Sequence, residues 1–261
     1  HKIETLSLHD KVRGVGLHDA RGDLLEGTFQ GIMRIKREEK ATAKKMDKQA
    51  VDFGLGLVIQ AKLPDVSDPA KVNMMRVRLR GYLPAIMAKH WRHKLQRIDR
   101  DYHELTVTRE KVTGLKPVTL PVKDPKLAEH LKATHNIEAG HPQIKAMARK
   151  AAGGAKTTLE AASKINKYVY KTLKKSLSTN LDSALAIAQA KAGDCTEHAR
   201  LMVALCRAIG LPAREVGGVT WVPDLGGFGY HAWVEVYIGD GKWLSADPSW
   251  DELPANATHI W

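Results

Sequence analysis

Gly193-Asp194-Cys195-Thr196-Glu197-His198-Ala199-Arg200 is the stretch whose reading decides the fold. An Asp followed three residues later by Glu is the Asp variant of a capping box. It predicts a helix that opens at Cys195, shows apolar residues at Ala199, Met202, Leu205, Cys206 and Ile209, and stops at Gly210. Cys195 is then the first residue of a helix, where the partial positive charge of the N-terminus favours a thiolate. Asp194 and Glu197 oppose that effect, so a reactive thiol at this position needs a cationic partner.

His231 is the candidate partner. From Tyr230 to Ile238 the sequence alternates, with Ala232, Val234, Val236 and Ile238 on one face and His231, Trp233, Glu235 and Tyr237 on the other. Gly239-Asp240-Gly241 reads as a three-residue hairpin loop with Gly241 left-handed. That loop pairs Ile238 with Lys242 and Trp233 with Asp247, and it adds Leu244 and Ala246 to the apolar face. His231 and Asp247 become diagonal neighbours, roughly 7–8 Å apart at the backbone and within side-chain reach. A two-residue loop would turn Asp247 to the core face opposite Val234, so the hydrophobic pattern favours the longer one.

A cysteine, a histidine and an aspartate so placed are the parts of an acyl-transfer site. Cys195 attacks a carbonyl, His231 moves the proton, and Asp247 orients the imidazole and stabilises its charged form. The backbone N–H of Cys195 is one oxyanion donor. Gln189, six residues before the cysteine, is a weak candidate for the second.

Four blocks carry a resemblance: Gly193 to Ala199, Ala208-Ile209-Gly210-Leu211-Pro212-Ala213-Arg214, His231-Ala232-Trp233-Val234-Glu235-Val236, and Asp247-Pro248-Ser249. In this order and spacing the chain from about His141 onward resembles the bacterial transglutaminase-like superfamily. The resemblance implies an α+β fold, a papain-like core with helices packed on an antiparallel sheet, and a Cys–His–Asp triad at Cys195, His231 and Asp247. It implies no cofactor and no metal. Implied activities run from protease and amidase (hydrolysis) to cross-linking acyltransferase, with inactive scaffolds also among members, and many members are exported. Without a calcium-loop pattern in the sequence, hydrolysis is the favoured expectation.

Other residues compete for these roles. His198 lies one turn from Cys195 but points sideways around the helix. A metal site built from Cys195, His198 and His231 has no trustworthy ligand spacing. Cys206 reads as a small buried apolar residue, and at roughly 16 Å along the helix it is too far to bond Cys195. Trp233 and Trp243 either wall a cleft or pack, and residues 224–229 read as a mobile loop that gates the site.

The remainder of the 261 residues sets the frame. With 43% hydrophobic and 27% charged residues the chain is globular, and no apolar run is long enough to span a bilayer. Charge is uneven. From Lys191 onward five Lys/Arg face nine Asp/Glu, a net of −4, so the first 190 residues carry +16 and the whole chain +12. That basic part can meet an anionic surface such as a membrane or an acidic wall polymer, although a solvated surface is the simpler reading. Nucleic acid is not expected, since no zinc-finger spacing or aromatic-rich basic motif occurs. The expected substrate is a protein or peptide, a cell-wall peptide included.

Residues 12–17, 24–35, 54–63, 72–83 and 104–108 read as strands, and 36–49 as a short helix or loop. Three prolines within 116–125 suggest a division into a β-rich domain at 1–120 and a catalytic domain at 121–261. Helices are expected from His141-Pro142 to Gly153-Gly154, along Leu159, Ala162, Ile165, Val169 and Leu173, and from Asp182 to Ala192. The start at His1 reads as a processed or internal beginning, and the end at Thr258-His259-Ile260-Trp261 as a cut.

Overall fold

The computed structural model describes residues 2–6, 13–18, 24–29, 33–37, 58–61, 66–80, 90–176 and 181–261. Most of the expected helix or loop at 36–49 therefore lies outside the described residues. Backbone contacts divide the chain into two compact units, residues 1–56 and 57–261. In the first unit, strands β1 (Lys2–Leu6), β2 (Arg13–His18), β3 (Leu24–Phe29) and β4 (Met33–Lys36) form an antiparallel meander in chain order.

The second unit begins with the two-residue strand β5 (Ile59–Gln60), followed by β6 (Met74–Arg80), β7 (His93–Arg97) and β8 (Tyr102–Thr108). The last three form a sheet of order β6-β8-β7. Helices α1 (Pro142–Ala152) and α2 (Thr158–Thr172) follow. Then come β9 (Lys174–Lys175), α3 (Ala184–Ala190), β10 (Ala192–Gly193) and α4 (Cys195–Ala208). The chain continues into β11 (Ala213–Val222), β12 (Gly227–Gly239) and β13 (Lys242–Ala246), which lie side by side and antiparallel. The fold is α+β, with helices on an antiparallel sheet.

Helix α4 is the hub. Leu201 through Cys206 are all fully buried, so over this span the helix is apolar on every side rather than amphipathic. A helix of that kind belongs inside a core. It packs with Ile144, Ile165 and Val169 of the flanking helices and with Val234, Val236, Leu244 and Ala246 of the sheet. This apolar set is the one expected to face inward from β12 and β13. Helix α3 is shorter than expected: Ser183 caps its N-terminus, and Lys191, with φ 53°, ends it before Gly193.

Contacts do not thin out at residues 116–125. Val118 N–H donates to Ile238 O (3.0 Å), Leu120 N–H to Lys156 O (3.0 Å) and Val122 N–H to Gly210 O (2.9 Å). Met75, Leu105 and Val107 of the three-stranded sheet share a buried cluster with Trp221, Phe228, Ala257 and Ile260. Residues 57–120 thus belong to the same compact unit as the helices, through contacts far apart in sequence that no local signal announces.

The hairpin of β12 and β13 has the expected register with a different closure. Val234 pairs with Ala246, Val236 with Leu244 and Tyr237 with Trp243, after which the ladder shifts to Gly239 opposite Lys242. Asp240 and Gly241 have φ values of 51° and 71°, as a two-residue type I′ turn requires. Ile238 is the extra residue of a β-bulge, and it restores the register that a three-residue loop would set. Its carbonyl, turned out of the ladder, accepts from Val118 N–H (3.0 Å) and Thr158 Oγ1 (2.7 Å). Gly239, at φ 142°, runs so close to Lys116 O that a Cβ would collide with it.

Candidate active site

The site starts from the cap of α4. Asp194 accepts from Thr196 N–H at 2.7 Å, and Glu197 reaches back to Asp194 N–H at 2.8 Å, so the capping box is complete. The second Glu197 oxygen accepts from Leu181 N–H at 3.0 Å. Burial, with Asp194 beside it, pushes the Glu197 carboxyl upward and weakens its opposition to a thiolate. Cys195 is half-buried at the helix start, while Cys206 is fully buried and its thiol is pushed up by burial. Iodoacetamide at neutral pH is therefore expected to modify Cys195 well before Cys206, read by peptide mass spectrometry. Modification of Cys206 first would remove Cys195 from the site.

His231 leaves β12 opposite Gly218, and its Nε2 lies 2.7 Å from Asp247 Oδ2. With Nε2 engaged, Nδ1 is the ring nitrogen left to meet the Cys195 side chain, which lies near enough to act on the ring. Burial alone would lower the imidazole. The charge and hydrogen bond of Asp247, then Cys195, outweigh it and raise His231 to about 10. His231 thus presents a cation to the thiol through neutral pH.

Asp247 is fully buried, and burial works against its charge. Four donors reverse that. Oδ2 receives His231 Nε2 and also His259 Nε2 (3.1 Å), while Oδ1 receives Ser249 N–H (2.8 Å) and Ser249 Oγ (2.6 Å). A carboxylate with every lone-pair direction occupied stays ionised in the interior, and Asp247 is held well below the usual carboxylate range, chiefly by His231 and then His259.

The structure thus brings Cys195, His231 and Asp247 together, and it adds residues the sequence reading passed over. His259 and Ser249 hold Asp247. Trp250 stacks on His231 with centroids 4.6 Å apart and planes 14° apart, a contact that favours the charged ring. Trp233 is buried and serves as packing. Trp243 lies under the Arg214 guanidinium at 4.5 Å and edge-on to His130. The Gln189 amide donates to Gln143 on α1 at 3.2 Å. His198 Nδ1 donates to Asp194 O at 2.6 Å, and its buried Nε2 has no partner. The expected loop at 224–229 is half strand: Pro223–Leu225 is a single tight turn, and β12 begins at Gly227 with Phe228 buried. His231, Asp247 and His259 converge closely enough to hold a cation, with ligand atoms within 4.8 Å of one another. The two short contacts to Asp247 account for that convergence as hydrogen bonds.

The segment that carries His259 is pinned from several sides. Glu252 O accepts from Asp247 N–H (2.8 Å), and Asp247 O accepts from Glu252 N–H (3.0 Å). Val219 and Ile260 exchange both backbone bonds, at 2.9 and 2.8 Å. Arg92, with a side chain 1% exposed, pairs with Glu110 at 3.2 Å. Its Nη2 donates to Ala255 O (3.1 Å) and Asn256 O (2.6 Å).

Residues 145–248 match the model of the transglutaminase-like superfamily. A Cytophaga hutchinsonii protein described as a candidate cysteine protease is similar at 26% identity with a TM-score of 0.47, over 60% of this chain and 56% of its own. The chain thus spans little more than half the length of that protein. The periplasmic domain of TgpA from Pseudomonas aeruginosa is similar at 17% identity with a TM-score of 0.40, over 70% of this chain and 88% of its own. No curated protein matches the sequence. The likeness to the transglutaminase-like superfamily thus lies in residues 145–248, from α1 to just past Asp247.

Proposed function

We propose that the protein is a thiol enzyme acting on peptide or amide carbonyls, with Cys195 as nucleophile, His231 as base and acid, and Asp247 as the residue that orients and charges the imidazole. The observation that carries this reading is the 2.7 Å contact between His231 Nε2 and Asp247 Oδ2, with Cys195 acting on the same ring. Cys195 Sγ bonds to the carbonyl carbon, and His231 Nδ1 gives its proton to the leaving amine, which departs as the thioester forms. The backbone N–H of Cys195, at the start of α4, stabilises the oxyanion. Water or an amine then attacks the thioester with His231 as base. We favour water, hence a protease or amidase. A lysine amine as acceptor would make the enzyme a cross-linking transglutaminase, and an idle scaffold would form no thioester at all. Export and a cell-wall peptide substrate belong to the same proposal, on family likeness. Among the described residues no helix is long and apolar enough to cross a membrane.

A peptidyl acyloxymethyl ketone should label the wild-type protein at Cys195 and leave Cys195→Ala unlabelled, read by mass spectrometry. Equal labelling of the alanine variant would refute the assignment. Glutamine peptides offered with a fluorescent amine then separate the acceptors: ammonia release without incorporation means hydrolysis.

A further inference from the structure

We propose that His259 is a positioning residue of the site, fixing the plane of the Asp247 carboxylate and thereby the imidazole of His231; this rests on the acyl-transfer reading above. His259 is fully buried and its Nε2 approaches the same oxygen, Oδ2, that His231 uses, at 3.1 Å against 2.7 Å. The two rings meet at 63°, so they reach Oδ2 from different directions. Ser249 holds Oδ1. With only Ser249 and His231 as partners the carboxylate could pivot about Oδ1, and a second N–H on Oδ2 removes that freedom.

The proton on His259 can be placed. Its Nδ1 faces Asn256 O at 3.2 Å while Nε2 faces Asp247 Oδ2, and a neutral ring donates to only one of them. Asn256 O already receives Arg92 Nη2 at 2.6 Å, so it is satisfied without the ring. The ionised carboxylate is also the stronger acceptor. Nε2 therefore carries the proton. Asp247, His231 and Arg92 are the charged groups acting on this ring, and burial keeps it from charging readily. Trp233 and Trp250 stand edge-on to it at 5.2 and 5.5 Å, and the same two indoles lie parallel to His231. Ring and cage therefore fix one another, so the role of His259 is distinct from simple filling of space.

Two variants separate positioning from packing. His259→Phe keeps an aromatic ring between the indoles and loses the donor, whereas His259→Asn keeps an N–H donor and loses the ring. The expected result for Phe is a fall in kcat of roughly tenfold or more, a fraction of what loss of tautomer control costs, with KM little changed. The acid limb of the Cys195 alkylation profile should also move up by about half a pH unit, because a loosened imidazolium supports the thiolate less well. Asn should recover most of the kcat and the wild-type profile. A Phe variant with wild-type kcat and profile would overturn the proposal, as would an Asn variant impaired like Phe with both melting early. Should Phe fail to fold, nitrogen-15 histidine spectra of the wild type decide: a slowly exchanging Nε2–H on His259 is expected, and an unprotonated Nε2 overturns it. The alkylation and spectral readouts need no substrate, so they stand even if the wild type turns over no acyl compound.

Discussion

Asp247→Asn is expected to leave the protein folded and to lower turnover by about 10³- to 10⁴-fold, the scale on which a triad loses tautomer control. The carboxylate receives two donors on each oxygen. An amide has one oxygen and one NH₂, so in either orientation an N–H of the amide faces an N–H it cannot bond. If the oxygen stays toward the histidines, the NH₂ confronts Ser249 N–H. If it turns, the NH₂ confronts His231 and pushes that ring into the other tautomer. One buried unsatisfied pair costs about 1–3 kcal/mol, enough to lower a melting curve without abolishing the fold. The pH dependence has a definite sign. In the wild type His231 is raised from 6.5 to about 10, so the stability held in the His231–Asp247 pair is fully present below about 6.5. It is lost as pH rises through about 10. Asn removes the charge that raises His231, so in the variant both that alkaline loss and the alkaline limb of activity should retreat toward neutral pH. A variant with wild-type turnover, or with an unmoved alkaline limb, would contradict the triad.

Arg92→Ala should destabilise the protein by about 3–5 kcal/mol, the usual result of removing one partner from a buried ion pair. The guanidinium is 1% exposed, pairs with Glu110, and spans Ala255 O, Asn256 O and, at 3.4 Å, Thr108 O. Its loss leaves Glu110 short of a cation and takes a donor from each of three carbonyls. Arg92→Lys should recover little, because one ammonium cannot reach that fork of acceptors. Activity should fall along with stability, since Asn256 and His259 share the segment that Arg92 clamps. Urea denaturation with activity measured at low denaturant checks both. A change under about 0.5 kcal/mol, as for an ordinary surface site, would mean that residues 90–110 sit on the core without holding it.

Much of the site was legible because its geometry is local. A capping box needs only Asp194 and Glu197, and a hairpin register needs only the alternation from Tyr230 to Asp247, so both could be read from neighbours in sequence. The residues that were missed act over distance. His259 reaches Asp247 from twelve positions away through an irregular segment, and no periodicity marks such a segment; the same residues read as a cut end. Arg92 and Glu235, the latter buried between His90 at 2.8 Å and Arg214 at 2.7 Å, tie strands together across more than a hundred residues in the case of His90. The placement of residues 57–120 went unread for the same reason: β5 pairs with β12 through only two residues, too short a run to carry a pattern. The two-residue turn was misjudged because a bulge adds its extra residue without changing composition.

That bulge also fastens the hairpin. By stepping out of the ladder, Ile238 lends its carbonyl to Val118 and to Thr158 at the foot of α2, and so bolts the free end of the hairpin to two other parts of the molecule. Deleting Ile238 would leave Gly239 opposite Lys242 and Tyr237 opposite Trp243, so His231 and Asp247 would still share a face. What the shortened strand would lack is the bolt. Its average geometry would be correct and its spread wide, so the arrangement of the site and its stiffness, supplied together by one residue, would come apart.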